Sequence, residues 1–256
     1  MADSSFWSIS TLLGFLLTLM RIGGVFVFVP VPGFKSAVDT ARIFLIGGVT
    51  IALAPVWPHP AADTPAGLFI LWMLSEAALG IGIGLAVGFA LEAFVMGAQM
   101  IGIQAGFSFA STVDPFTQAD STVLIVLAQT AAALIFFTAG LDREVLRIFA
   151  QSLVSYPPGT FVITKRATDL VLLAGSTMFS VGLRLAMPVI AAMLMVDVSL
   201  SLLGRINSHL QLQAVSFPVK MVLALILLGW LVVLFPALMR GGTSISFAVA
   251  RALIKR

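Results

Sequence analysis

Seven ionisable residues lie within or beside long apolar runs of this 256-residue sequence: Arg21, Glu76, Glu92, Arg184, Asp197, Arg205 and Lys220. A charged side chain that faces lipid costs between roughly 2.5 and more than 10 kcal/mol. We therefore expect these groups to face protein, water or one another. Structural ion pairing at helix or subunit contacts is the favoured interpretation, and a proton or substrate path is the alternative.

The sequence offers little for catalysis. It has no cysteine, which excludes a disulfide scaffold, a thiolate metal site and a cysteine nucleophile, and it has only two histidines, His59 and His209. Residues Gly106–Ala110 come close to the G-x-S-x-G motif of hydrolases but lack its final glycine. The sequence contains no H-E-x-x-H motif and no Cys/His cluster. We expect no enzymatic activity, no cofactor and no bound metal.

The composition places these residues in apolar surroundings. The chain is 60% hydrophobic and 10% charged, with a mean hydropathy of +1.11, whereas a soluble domain carries about 25% charged residues. So few charges cannot cover the surface of a water-soluble domain, and a disordered chain is excluded as well. The net charge of +3 is too small for nucleic-acid binding. The sequence therefore predicts a multi-helix protein of a membrane or of a large apolar assembly.

Apolar runs separated by turn residues predict an all-α protein with about six to eight long apolar helices and no sheet. The first run, Phe6–Phe28, can cross a bilayer of about 30 Å and ends at Pro30. Its first basic residue lies inside the run, so we do not expect a cleaved signal peptide. Later runs cover Ile43–Trp57, Leu68–Leu91, Ala93–Val113, Val123–Leu141, Leu170–Met195 and Met221–Met239, and Glu92 is expected to separate the third run from the fourth.

The most hydrophilic stretch, Asp142–Asp169, predicts a short amphipathic helix followed by a loop. The distribution of basic residues favours seven crossings, with the N-terminus outside and the C-terminus inside. Lys35, Arg42 and the basic C-terminal cluster would then lie in the cytoplasm, and the acidic loops near Asp63 and Asp114 would lie outside. The sequence shows no domain boundary, so residues 1–256 are treated as a single domain.

Two further segments stand out by their small residues. Gly80, Gly84 and Gly88 form small-xxx-small pairs, which let two helix backbones approach closely. They do not fit a nucleotide-binding G-x-G-x-x-G motif. The segment Gly102–Thr122 changes from an apolar run to small residues, two phenylalanines and then Asp114-Pro115, where a helix should break. An external turn and a loop that lines a cavity at membrane depth both fit this segment.

The segment Gly106–Pro115, here called the signature segment, resembles the G-x-S-x-A-x-x-x-D-P pattern of the flagellar biosynthetic protein FliR family, the T-type subunits of type III secretion systems. The resemblance covers nearly the whole chain. It includes Arg21 with Pro30, and Glu76 with Gly80, Gly84 and Gly88, here called the glycine series. Leu185–Pro188 and Phe217–Lys220 extend the match, together with Glu92, Gln104, Asp197 and Arg205. The chain departs from the family at Ala139–Asp142, where a turn of Asn-Gly-His type is common, and at Ser208-His209, where Pro-Gln is common.

The resemblance implies a subunit of the flagellar protein export gate, folded as stacked helical hairpins. It also implies a multi-pass location in the bacterial cytoplasmic (inner) membrane at the flagellar basal body. The implied partners are P-type and Q-type subunits in a hetero-oligomer, B-type and A-type subunits nearby, unfolded export substrates and lipid. The flagellar branch is favoured over the virulence branch. The matched loop residues would plug the pore: Gly106, Phe107, Ser108, Phe109, Ala110, Ser111, Asp114 and Pro115.

The residues of this loop fit a closed channel, because small residues pack closely, phenylalanines exclude water and a proline-broken loop can move without unfolding a helix. Two other functions stay open at this point. A small-solute secondary transporter would use Glu76, Glu92 and Asp197 as ion ligands at broken helices, although the two halves of the chain show no similarity. An intramembrane hydrolase would need Ser108 as its nucleophile.

Overall fold

The computed structural model describes residues 8–29, 38–107, 122–157, 159–206 and 212–254, without the side chains of 38–39, 122–124, 206, 212–215, 217 and 231–245. These residues form seven α-helices, one short 3-10 turn at Ala54–Val56 and no strand. The helices are α1 (Ile9–Phe28), α2 (Val38–Ala52), α3 (Ala66–Ala105), α4 (Thr122–Thr138), α5 (Leu141–Ser155), α6 (Lys165–Ile206) and α7 (Leu212–Leu253). The predicted all-α fold is confirmed.

Local sequence signals account for the ends of several helices. Ser8 caps α1, since its side chain accepts a hydrogen bond from the backbone N–H of Thr11 at 3.1 Å. The helix ends at Val29, which is extended (φ −75°, ψ 120°) because the following residue is Pro30. Gly140, at φ +69°, lies between α4 and α5, which are bent by 67°. The amphipathic helix predicted after residue 142 is confirmed as α5, and a loop follows it.

The expected break at Glu92 is wrong, because α3 runs through it without interruption over 40 residues. Glutamate is a good helix former, and Glu92 is exposed on the surface of the chain, so nothing local ends the helix there. The run Leu170–Met195 likewise lies within the longer α6, which continues through Pro188. A proline removes one backbone hydrogen bond, a loss that apolar helices of membrane proteins tolerate when neighbouring groups satisfy the freed carbonyl.

Three helices are long and apolar enough to cross a membrane, namely α1, α3 and α6 as far as Arg205. A fourth span results if the bent pair formed by Ile125–Thr138 and α5 counts as one. Shorter apolar helical stretches cover Thr40–Ala52 and Pro218–Trp230. Within the described residues, the expectation of six to eight long apolar helices and seven crossings is therefore met only in part.

The chain divides into two compact units. The first contains Met1–Phe89, Phe136–Gly175 and Thr243–Arg256, and the second contains Ala90–Ile135 and Ser176–Gly242. The core of the first unit includes Leu17, Ile22, Leu79, Ile83, Ile148, Phe149 and Leu253. The core of the second unit includes Phe94, Ala98, Ile101, Ala128, Ala186, Met193 and Leu228.

Candidate functional site

A buried ion pair joins α1 to α3 in the first unit. Arg21 and Glu76 are each about 1% exposed, and the Nε–H group of Arg21 donates to Oε2 of Glu76. The other guanidinium nitrogens reach two backbone carbonyl oxygens at the end of α5. Nη1 donates to Ser152 at 2.6 Å, and Nη2 donates to Tyr156 at 2.9 Å. A buried guanidinium is tolerated only when it is paired and hydrogen-bonded in this way.

The second carboxylate oxygen of Glu76 holds the loop that follows α5. Oε1 accepts a hydrogen bond from the backbone N–H of Gly159 at 3.3 Å. Gly159 has φ +72°, and a side chain there would strike the indole ring of Trp72. Glycine is therefore required at this position for two reasons, its backbone conformation and the space available. The ion pair thus ties α1, α3, α5 and this loop together.

The glycine series lies along the contact between α1 and α3. A Cβ atom at Gly80 would strike the carbonyl oxygen of Arg21, and one at Gly84 would lie 2.5 Å from that of Val25. One at Gly88 would lie 3.0 Å from the carbonyl oxygen of Phe28. Successive glycines of α3 thus meet successive turns of α1, so the two helices run in the same direction at this contact. Without side chains on these positions, the backbones approach as small-xxx-small pairs allow.

A second polar cluster joins three helices of the second unit. Nζ of Lys220, on α7, lies 2.5 Å from Oδ1 of Asp197, on α6. Nε2 of Gln104, near the end of α3, donates to Oδ2 of the same aspartate at 3.4 Å. The side chains of Lys220 and Asp197 are 14% and 33% exposed, so the pair is only partly shielded from solvent. The cluster fixes the last turn of α3 just before the signature segment begins.

Gly106, the first residue of the signature segment, ends α3 in a Schellman motif. It has φ +85°, its N–H donates to the carbonyl oxygen of Ile103 at 3.1 Å, and the N–H of Phe107 donates to that of Gly102 at 3.1 Å. This pair of hydrogen bonds around a left-handed residue is the geometry that glycine favours at a helix end. Phe107 is half-buried. The other residues predicted to plug the pore lie outside the described residues: Ser108, Phe109, Ala110, Ser111, Asp114 and Pro115.

Three of the seven predicted charges, Glu92, Arg184 and Arg205, are exposed on the single chain. Their burial at a subunit contact stays a prediction. The structure also shows a pair that the sequence did not suggest, in which Arg251 donates to Glu144 across the first unit. Among the described residues, no group of three or more histidine or acidic side chains could hold a metal ion.

The comparisons with known proteins place this geometry in a family. The model of a family described as bacterial export proteins, family 1, matches residues 12–244. The chain belongs to this family. The matched range contains both polar clusters, the glycine series and the signature segment, so none of these features lies outside the region that defines the bacterial export proteins.

Curated relatives of this export protein carry two kinds of name. The flagellar biosynthetic protein FliR of Escherichia coli (strain K12) is 28% identical over 213 residues, which cover 82% of this chain and 81% of the relative. FliR of Bacillus subtilis (strain 168) is 26% identical and covers 84% of each chain. The Yop proteins translocation protein T of Yersinia pestis is 25% identical and covers 85% of each. These matches confirm the resemblance to the FliR family. The family is described by export and the relatives are named for flagellar biosynthesis and translocation, not as enzymes, which agrees with the expected lack of catalysis.

Proposed function

We propose that this export protein is a subunit of the flagellar type III protein export gate in the bacterial cytoplasmic membrane. It contributes to the pore, and the loop that begins at Gly106 plugs that pore until an unfolded flagellar protein passes. Relatives named FliR from both Escherichia coli and Bacillus subtilis support the flagellar branch. The translocation protein T of Yersinia pestis supports a role common to flagellar and virulence-type export.

One observation carries the proposal that the chain works inside a larger assembly. Exposed apolar side chains continue along α6 from Leu172 to Leu203, a length of about 46 Å at 1.5 Å per residue. The hydrocarbon layer of a bilayer is only about 30 Å thick. To fit this stretch into lipid, the helix would have to tilt by about 50°, beyond the range of roughly 0–40° found in membrane proteins. Lipid alone therefore does not cover this face, and partner subunits would.

The exposed charges support the same proposal. Arg184 lies near the middle of this apolar stretch and is exposed on the single chain. An arginine facing lipid at that depth costs several kcal/mol, whereas one that faces a carboxylate of a neighbouring subunit does not. We propose that Arg184, Glu92 and Arg205 lie at contacts with P-type and Q-type subunits, and that B-type and A-type subunits lie nearby.

The described start of the signature segment supports the plug. The Schellman motif at Gly106 ends α3 abruptly, and the cluster of Gln104, Asp197 and Lys220 holds the turn before it. A loop that leaves a fixed helix end can change its conformation without disturbing the helix. Phe107 then begins the apolar part of the loop, which would exclude water and ions from the closed pore.

The alternative of a small-solute transporter is less well supported. It requires carboxylates at broken helices that are available to bind ions, and its candidates are Glu76, Glu92 and Asp197. Glu92 is exposed, but α3 runs through it without a break. Both oxygens of Glu76 are engaged, one by Arg21 and the other by Gly159. Both oxygens of Asp197 are engaged as well, by Lys220 and Gln104.

The assembly is tested by purifying the chain from its own membranes in a mild detergent and measuring the mass and composition of what elutes. A gate subunit elutes in a large hetero-oligomer, and Arg184→Leu reduces the yield of that complex. Gln151→Leu, an exposed position on α5, is the control and leaves the yield unchanged. Elution of the native chain as a stable monomer or homodimer would contradict the proposal.

The plug is tested separately by deleting Phe107–Phe109. We expect resting cells to become permeable to small ions and dyes while the complex still assembles. The matched control replaces Phe107 and Phe109 by leucine, which keeps an apolar plug of nearly the same volume, so those cells stay closed. If the deletion leaves resting permeability unchanged in an assembled complex, the loop is not the plug.

A further inference from the structure

The loop between α5 and α6, described at residues 156–157 and 159–164, is anchored at several points to other parts of the first unit. The hydroxyl of Ser75 donates to the carbonyl oxygen of Phe161 at 2.7 Å. The Phe161 ring packs edge-on against that of Tyr156, with ring centres 5.9 Å apart. Arg21 and Glu76 hold the backbone of the same loop at Tyr156 and Gly159. Residue 158 is not described. The contacts on both sides of it determine the positions of the other loop residues.

This fixed loop presents apolar side chains outward. Val162 and Ile163 follow directly after the anchored Phe161, and they are 68% and 70% exposed. Two adjacent β-branched side chains gain nothing from contact with water. An anchored loop that exposes both side chains fits a surface that meets an apolar phase.

The next two residues are basic and lie where a helix is already positive. Lys165 and Arg166 begin α6 and are both exposed. Thr164 caps the helix, since its Oγ1 accepts a hydrogen bond from the N–H of Ala167 at 3.2 Å. Cations in the first turn are unfavourable, because the helix dipole places partial positive charge there. Within the described part of the chain neither residue forms an ion pair, and the nearest carboxylate along the helix is that of the exposed Asp169, one turn further on. The first turn of α6 therefore carries an excess of positive charge.

Aromatic residues and a cavity border the same surface. Tyr156 belongs to the loop, and the indole ring of Trp72 packs beside Gly159. Tyrosine and tryptophan are the residues enriched where a membrane protein crosses the lipid headgroups. A cavity of about 340 Å³ opens beside the loop and is lined by Phe161, Leu170 and Leu253 together with Arg166. Its walls are largely apolar, with one guanidinium and the polar residues Tyr156, Thr160 and Thr164 among them.

From these features we propose that residues 162–166 and the adjoining cavity bind anionic phospholipid at the edge of the bilayer. Val162 and Ile163 insert among the upper acyl carbons, while Lys165 and Arg166 contact lipid phosphates. The negative phosphates also compensate the positive end of α6. The cavity accommodates part of an acyl chain below a headgroup that Arg166 binds. This site requires only a membrane protein and does not depend on the proposed pore or plug.

The charge contribution is tested with the double variant Lys165→Gln/Arg166→Gln of the full chain in its purified complex, placed in nanodiscs of stated composition. Each basic residue near an anionic surface contributes to the binding free energy of the lipid. Losing both residues should therefore weaken retention of phosphatidylglycerol about 30-fold. Retention of phosphatidylcholine should not change. The matched control, Arg143→Gln/Arg147→Gln, removes two exposed charges from α5. An equal loss in this control would overturn the proposal, because it would show a general charge effect.

Insertion is tested independently with a fluorophore attached to one introduced cysteine. The sequence contains no other cysteine with which the label could react. Ile163→Cys is labelled with an environment-sensitive fluorophore, and Ala62→Cys, an exposed position beside Asp63, serves as the control. We expect a blue-shifted emission at position 163 that brominated acyl chains quench, and neither effect at position 62. If the probe at 163 reports water in nanodiscs, or is shielded only by another protein subunit, the lipid site is wrong.

Discussion

Removing one partner of the Arg21–Glu76 pair should destabilise the first unit strongly. Both side chains are almost fully buried, and the guanidinium donates to the carboxylate and to two backbone carbonyl oxygens. Breaking a buried pair leaves an uncompensated charge and costs about 3–5 kcal/mol. For a chain of this size, 1 kcal/mol corresponds to a change in melting temperature of roughly 2–4 °C. Arg21→Met or Glu76→Gln should therefore lower the melting temperature by roughly 6–20 °C.

The double variant gives the sharper test. The amide introduced by Glu76→Gln keeps an oxygen that can accept the N–H of Gly159, and once Arg21→Met is added no charge remains buried at this contact. Arg21→Met/Glu76→Gln should therefore be more stable than Arg21→Met alone, so the second substitution partly rescues the first. The control Arg147→Met makes the same change at an arginine whose side chain is 70% exposed, and it should cost less than about 1 kcal/mol.

Melting temperatures are measured in one detergent by the loss of the folded fraction on a sizing column after heating. The reasoning is refuted if the two single effects simply add in the double variant. It is also refuted if Arg21→Met costs no more than the exposed control, because the pair would then contribute no more than a surface ion pair.

Two further predictions concern glycines. Gly80→Ala should destabilise the contact between α1 and α3, because the new methyl group meets the backbone of Arg21. Gly23→Ala is the control, since Gly23 has open space around it, and it should be neutral or stabilise the chain by about 0.4–1 kcal/mol. Melting temperatures of both variants check this difference. Gly106→Ala forces a non-glycine residue to φ +85°, at a cost of about 1–2 kcal/mol, and should raise resting ion leak by loosening the end of α3. Gly106→Asn, which tolerates this conformation better, should leak less, and an equal leak in the two variants would count against the role of the cap.

The sequence predicted best those features whose physical cost is local. Burying an unpaired charge has a high free-energy cost, so Arg21 and Glu76, which lie in apolar runs, were expected to have partners. Both are buried and paired with each other. The residue before Pro30 ends α1, and the hydrophilic stretch Asp142–Asp169 begins with an amphipathic helix. In each case a single term, desolvation, backbone sterics or periodicity, decides the outcome.

Features that depend on distant groups could not be predicted in the same way. Two of the partners of Arg21 are backbone carbonyl oxygens more than 130 residues away, and every residue has such a group, so no side-chain pattern marks them. The break expected at Glu92 was wrong because a single glutamate was treated as a boundary, although it costs a helix nothing when it faces outward. Gln104 was noted only as part of a motif, and its contact with Asp197 emerges from the packing of α3 against α6.

The division of the chain into two units has a consequence for biogenesis. The second unit is formed by residues 90–135 and 176–242, so all of it has been synthesised before residues 243–254 of the first unit follow. The first unit combines α1, the first half of α3, a central segment and residues 243–254, among which Phe247, Ala250 and Leu253 are buried. The core of the first unit is therefore complete only after residues 243–254 have been made. Leu253 lies beside Gly82 of α3, so a premature stop near residue 242 would leave this part of α3 uncovered.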